Sequence, residues 1–274
     1  MRVESRRMTT AMQRLARAGM TAAIILITPA LLGAQNSKRD EPIAPFSSFY
    51  LTTGTILMDV TKLNPHFERV DLPAGQRPGF YTLSNDGYSV GIGGYVPVLG
   101  RFVAGGEFHS ADFGYESSPT GKTNQLETKY WMATGGYAAF TAWRFSVIPF
   151  VGVGTGTATL TLKSRSGGPQ VSNSVDPTFD EVIASPGTKS TMTASYVMVQ
   201  PGLALDFIVL RSDASNLGMT LGMRMASAIT PNRSTWRYAG REVFGGPDLG
   251  PAGGSFRIVV GIGGFRIAST ANGR

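Results

Sequence analysis

Between Phe145 and Lys163 the chain alternates with a period of two. Phe145, Val147, Pro149, Val151 and Val153 fall on one side; Ser146, Ile148, Phe150, Gly152, Gly154, Gly156 and Ala158 fall on the other. A helix would scatter those glycines around its axis, so the spacing predicts a strand. It is about twice the usual length of a strand in a globular sheet. Threonines at 155, 157, 159 and 161 then continue the bulky side in polar form. One greasy face and one glycine-lined face predict the wall of a closed barrel that crosses a membrane and leaves it near Thr155.

The theme recurs in eight strand candidates, approximately 47–60, 80–97, 101–114, 126–141, 144–163, 189–209, 216–230 and 254–267. In the sixth, Val197, Val199, Leu203, Leu205, Phe207 and Val209 oppose Met198, Gln200, Gly202, Ala204 and Asp206. In the seventh, Leu217, Met219, Leu221, Met223 and Met225 oppose Gly218, Thr220, Gly222, Arg224 and Ala226. In the eighth, Phe256, Ile258, Val260 and Ile262 oppose Ser255, Arg257, Val259, Gly261 and Gly263. The first and fourth alternate poorly.

Links at 98–100, 142–143 and 211–215 are short; those at 61–79, 115–125, 164–188 and 231–253 are long and polar. Long and short therefore alternate, which places every short turn at one rim of an up-and-down barrel, the asymmetry of outer-membrane barrels. The even strand count sends both termini to the short-turn rim. The expectation is an all-β, eight-stranded up-and-down antiparallel transmembrane β-barrel over 47–267, preceded by a flexible lead-in at 35–46 and followed by a tail at 268–274.

Residues 1–34 read as a cleaved signal peptide. Arg2, Arg6, Arg7, Arg14 and Arg17 form a basic start, Met20 to Leu32 an apolar run, and Gly33-Ala34 the small residues before Gln35. The run is about 13 residues, short of the roughly 20 that span a bilayer. Removing this segment takes 25 basic and 18 acidic residues down to 20 and 17, a net charge of +3. No nucleic-acid reading survives that change. The absence of Cys excludes disulfides, thiolate metal sites and Cys nucleophiles.

Three segments carry a resemblance: Pro149-Phe150-Val151-Gly152-Val153-Gly154-Thr155-Gly156, Gln200-Pro201-Gly202-Leu203-Ala204-Leu205-Asp206-Phe207, and Gly261-Ile262-Gly263-Gly264-Phe265-Arg266-Ile267. Together they resemble the small outer-membrane β-barrel domain family over roughly residues 47–267. The resemblance implies a barrel in a Gram-negative-type outer membrane, with the membrane lipid and the barrel-assembly machinery as partners and no single activity. Members often end on an aromatic residue read by that machinery. Here Ala268 to Arg274 follow, so Phe265 and Ile267 would have to serve as an internal signal.

The glycines at 91, 93–94 and 152–156 lack the helix that a dinucleotide fingerprint requires, so they imply no cofactor. Pro149 and Pro201 each remove a ladder donor, which predicts a bulge or a strand switch. The two histidines suggest neither a metal site nor catalysis: His109 and Ser110 face opposite ways, leaving only a His109/Glu107 pair on one face, and His66 lies in a link. If glycine marks the lumen, then Glu107, Asp206, Arg224 and Arg257 point inward and must pair. Tyr88, Tyr130, Trp131, Trp143, Phe145 and Phe256 are expected in interfacial girdles. Trp236, Tyr238 and Phe244 carry no ligand spacing.

The functional expectation is a monomeric, non-catalytic outer-membrane barrel without cofactor, structural, adhesive or porin-like through a narrow channel, with both termini periplasmic. Two other classes compete. A lipid-modifying barrel enzyme would need His66 or His109 within reach of a carboxylate or hydroxyl. A soluble secreted lipocalin-like barrel would turn Leu203 and Leu205 inward.

Overall fold

The computed structural model describes residues 44–68, 79–99, 101–118, 121–142, 144–165, 177–212, 217–231 and 234–266. The expected leader, the lead-in up to 43, Trp143 and the chain from Ile267 onward lie outside them. Eight antiparallel strands close on themselves: β1 (Ala44–Met58), β2 (Asp86–Leu99), β3 (Phe102–Ser117), β4 (Lys122–Tyr137), β6 (Phe145–Ser164), β7 (Lys189–Ser212), β8 (Leu217–Ala228) and β11 (Pro251–Arg266). Each pairs with the next, and β11 pairs back onto β1 with Leu51 opposite Val260. The expected up-and-down barrel is present. Three short strands, β5 (Phe140–Ala142), β9 (Thr235–Tyr238) and β10 (Arg241–Val243), and two short helices, α1 (Asn64–Glu68) and α2 (Phe179–Ala184), complete the described elements.

Register fixes the width. Stepping from Phe145 to the residue directly opposite on each neighbour leads through Phe207, Leu221, Val260, Leu51, Ile92, Phe108 and Trp131. The path returns to β6 at Thr155, ten residues above its start. Eight strands with that stagger lean about 40° from the axis and enclose a backbone radius of about 8 Å. Side chains alone can fill such an interior.

The ends differ from the sequence reading in four places. β1 begins at Ala44, so the last residues of the expected lead-in are strand. Residues 80–85 are not strand; Phe80 and Leu83 are buried beneath the first long link. β4 pauses after Tyr137 and resumes as β5, which carries the pairing with β6 down to Phe145. The link expected at 115–125 is a tight turn between Ser118 and Gly121, so loop lengths do not strictly alternate.

Each proline leaves the ladder short of a donor. Val147 accepts from Ala139 of the β4–β5 segment, so two residues on Pro149 turns its nitrogen the same way, into the gap between β4 and β5. Val199 exchanges bonds with Ile229 in the same register as Gly202–Ala226, so Pro201 stands opposite Ser227 of β8 and the ladder there lacks only the donor that the proline cannot supply. The first missing donor falls where β6 changes partner segment, and the second within a ladder that β8 continues on both sides.

The glycine face leaves space for its neighbours. A Cβ on Gly154 would lie 2.0 Å from the Trp131 carbonyl oxygen and 2.7 Å from the Met132 Cα, whereas one on Gly135 would meet nothing within 4 Å. Gly154→Ala is therefore expected to lower stability by about 1–3 kcal/mol, with Gly135→Ala near neutral, as read by urea unfolding of refolded protein in lipid.

Candidate functional site

Along β7 the residues Val197, Val199, Pro201, Leu203, Leu205, Phe207 and Val209 share one face without a polar interruption. At the tilt given above they span about 30 Å, the thickness of a bilayer's hydrocarbon core. Val197 is 42% exposed, and Leu51, Ile92, Phe108, Val153, Leu221 and Ile262 extend the same exposed belt around the barrel. Leu205 belongs to that face although its neighbours cover it. Met198, Gln200, Ala204 and Asp206, on the opposite face, are buried. The soluble lipocalin-like alternative, which needs the reverse, is overturned. The chain is a transmembrane β-barrel of outer-membrane type.

The lumen of this outer-membrane barrel is layered. Near the short-turn rim Val103, Ala138, Ile148, Phe150 and Ala204 form a small apolar cluster, with Tyr95 and Ala226 packed against it. Above it lie the four charged residues singled out by parity. All are buried and paired: Arg224 donates Nη1 and Nη2 to Asp206 at 2.6 and 3.1 Å, and Arg257 donates Nη1 to Glu107 at 2.6 Å. Fork-on-carboxylate geometry makes the first pair directional as well as strong.

Neutral groups complete the arrangement. Tyr50 donates to Glu107 at 2.6 Å, and Tyr95 donates to Asp206 at 2.7 Å. The Arg224 guanidinium lies 5.3 Å from the Tyr50 ring centre and 6.0 Å from that of Tyr95. His109 Nε2 is 2.6 Å from Arg257 Nη1 and 2.9 Å from Glu107 Oε2, and its ring stacks on Tyr130 at 4.9 Å. Arginine can only donate, which assigns His109 as a neutral acceptor at Nε2. Two cations then balance two anions. Arg257 also reaches Gln200 at 3.4 Å, and Gln200 donates to Ser255 at 3.1 Å. Two glycines make the room: a Cβ on Gly91 would fall 2.3 Å from His109 Nδ1, and one on Gly222 would fall 2.3 Å from Asp206 Oδ1. A cavity of about 30 Å³ between the network and the lower cluster, lined by Tyr50, Tyr95, Glu107, Arg224, Ile148 and Phe150, holds about one water.

Toward the long-loop rim the interior turns apolar and continues into a folded cap. Val60, Leu63 and Phe67 of the first link, Phe179, Val182 and Ile183 of the third, and Trp236 and Val243 of the fourth pack with the barrel residues Leu126, Leu160 and Met192 in one buried cluster. Thr178 caps α2 through a reciprocal pair with Glu181. Ala239 and Gly240, both at positive φ (48° and 82°), turn β9 into β10. β9 pairs with the upper part of β7, extending the wall. His66 of α1 meets Asp180 of α2 at 2.6 Å, and Phe179 donates its backbone N–H to Phe244 at 2.8 Å, so three links are tied together.

The structure brings Glu107, Asp206, Arg224 and Arg257 into one layer, but as two adjacent pairs. Tyr50, Tyr95, His109, Gln200 and Ser255 join them. Parity on the glycine-bearing faces would have found Gln200 and Ser255; Tyr50 lies on a strand whose alternation is weak. One expected girdle position differs: Tyr130 is buried in the lumen. Trp131 is exposed at the edge of the belt, although β4 continues well above it, and Phe145 and Phe256 are half-buried. Both histidines do lie within reach of a carboxylate.

No protein-family model matches the chain, and no curated protein matches its sequence. Among solved structures, Ail, the attachment invasion locus protein of Yersinia pestis, is 12% identical with a TM-score of 0.36, covering 83% of this chain and 100% of that one. The translocator domain of the autotransporter NalP from Neisseria meningitidis is 10% identical with a TM-score of 0.29, covering 90% and 98%. The assignment of fold rests on strand pairing and the direction of side chains.

Removing one partner of a dry ion pair strands the other. Arg224→Ala is expected to cost about 3–5 kcal/mol, whereas Arg237→Ala, on the exposed β9 surface, should stay within about 0.5 kcal/mol. Arg224→Met combined with Asp206→Asn should recover much of the loss. Urea unfolding in lipid reads all three; equal stabilities for the two single variants would show that Arg224 is solvated.

Proposed function

We propose that the protein is a monomeric, non-conducting and non-catalytic outer-membrane barrel that holds a compact folded cap at the cell surface, in a structural or adhesive role rather than a porin-like one. The observation that carries this reading is the continuous filling of the lumen, from the Ile148–Phe150 cluster through the paired charges to the apolar layer beneath α1 and α2. A narrow channel needs a water-lined path, and the dry upper cluster interrupts one. Catalysis has little support: His109 is fully buried within the network, and His66 is engaged in joining α1 to α2. The belt meets lipid around the whole circumference, which supports a monomer. The even strand count supports periplasmic termini and an outward cap, with insertion by the barrel-assembly machinery.

Two measurements test this. In planar lipid bilayers the refolded protein should show no discrete conductance steps, and steady single-channel openings would favour the narrow-channel reading. An epitope placed at Gly240 should be labelled on intact cells, while one placed within 213–216 should be labelled only after the outer membrane is breached. The opposite pattern would invert the orientation.

A further inference from the structure

The wall formed by β6 and β7 does not stop where the apolar belt stops. Thr155 is directly opposite Val197, the last apolar residue on this face of β7. Above that level the two strands stay paired residue by residue up to Lys163 opposite Lys189. The outward positions between are all hydroxyl-bearing, as in Thr157 opposite Ser195, Thr159 opposite Thr193 and Thr161 opposite Thr191. Lys129 of β4 stands beside Thr157, and Arg237 of β9 stands beside Thr193. Lys129, Lys163, Lys189 and Arg237 are all exposed. Three acids border the patch: Glu127 and, opposite it on β3, Asp112, which accept from Gln125 at 2.8 and 3.3 Å, and Glu242 opposite Arg237. Cations outnumber them.

Two features of this wall call for an occupant. Like charges set directly opposite across a ladder are unfavourable, and Lys163 and Lys189 are so placed at the top. The eight steps from Val197 to Lys189 rise about 20 Å along the axis. A phospholipid headgroup layer is only about 5–7 Å deep, roughly a third of that height. A sideways-facing wall continuous with the lipid belt, rich in hydroxyls, cationic, and three headgroups tall, matches one neighbour. We propose that the β6–β7 wall, with Lys129 and Arg237 at its flanks, is a lateral binding surface for an outer-leaflet glycolipid bearing an extended, phosphorylated saccharide. The sugars would lie along the threonine rows, and their phosphates would separate the opposed lysines. The proposal rests on the outward orientation of the cap.

The test uses the mature barrel in nanodiscs of three compositions: zwitterionic phospholipid, the same with phosphatidylglycerol, and the same with a phosphorylated lipopolysaccharide. Amine acylation followed by mass spectrometry reads each lysine, with Lys62 on the exposed first link as control. The lipopolysaccharide should slow modification of Lys163 and Lys189 at least fivefold and leave Lys62 unchanged. Lys163→Glu with Lys189→Glu should weaken lipopolysaccharide binding at least tenfold without altering insertion. Equal reactivity in the three discs, or equal protection by phosphatidylglycerol, would overturn the proposal. Failure of the barrel reading would look different, since the protein would then not incorporate into any disc. An inverted orientation would show in the epitope labelling described above.

Discussion

Everything in this molecule follows from a backbone that must satisfy its hydrogen bonds without water. In hydrocarbon an open sheet edge is too costly, so the strands close, and the ten-residue stagger of the closed ring sets a backbone radius of about 8 Å. That width leaves an interior too narrow for bulky side chains on every strand. The glycines resolve the crowding, since His109 occupies the space over Gly91 and Asp206 the space over Gly222. Small residues on one strand therefore let large polar ones project from the next. The charges follow from the same constraint: side chains held in a filled interior cannot be hydrated singly, so Arg224 lies with Asp206 and Arg257 with Glu107. Buried pairs of this kind are poor sources of net stability, although removing one partner alone is costly. Here, with Tyr50 and Tyr95 bridging from β1 and β2, they join one side of the barrel to the other and oppose slippage of register.

The upper half obeys a different solvent. β6 and β7 run for 20 and 24 residues, longer than a bilayer requires, and the surplus stands in water. There the outward face becomes threonine and lysine, while the inward face stays apolar through Leu160, Leu162 and Met192. A barrel open at the top would expose that lining. The links supply the cover: α1, α2 and the β9–β10 hairpin each offer an apolar side too small to fold alone. Helices of five and six residues gain little from their own hydrogen bonds, so packing over the barrel mouth is what holds them.

This division explains what the sequence made legible. Within the membrane the solvent contrast is sharp, and strict alternation identified the faces of β6, β7, β8 and β11 and the inward course of Glu107, Asp206, Arg224 and Arg257. Above the membrane both faces of a strand can be polar. Asn124 is buried and bonds Tyr81 from the inside, and Gln125 beside it faces outward, so the stretch around the Ser118–Gly121 turn has the composition of a loop. Trp131 lies at the edge of the belt, where a girdle residue belongs, but for the same reason that edge is not the end of its strand. Tyr50 and Tyr130 were missed as lumen residues because tyrosine suits an interface and a filled interior equally, and only neighbours from other strands decide between them. The cap was unreadable in principle, since its elements exist only against the surface they cover.

The prolines bring these strands of argument together. A closed barrel has no edge on which a missing N–H is harmless, so Pro149 and Pro201 look incompatible with the strands that carry them. The Pro149 nitrogen faces the place where the neighbouring strand shifts register between β4 and β5, whereas Pro201 stands opposite Ser227 in a β8 ladder that keeps its register from Gly202–Ala226 to Val199–Ile229. At the first, two shorter segments share one long strand as their template; at the second, a single donor is missing from an otherwise continuous pairing. β6 and β7, the two strands that carry the prolines, are also the two that rise highest and pair with each other without a break. Continuity between them makes the lost donors on their outer sides tolerable, and beyond Ile229 the chain leaves the wall, forms part of the cap and returns as β9 higher on β7.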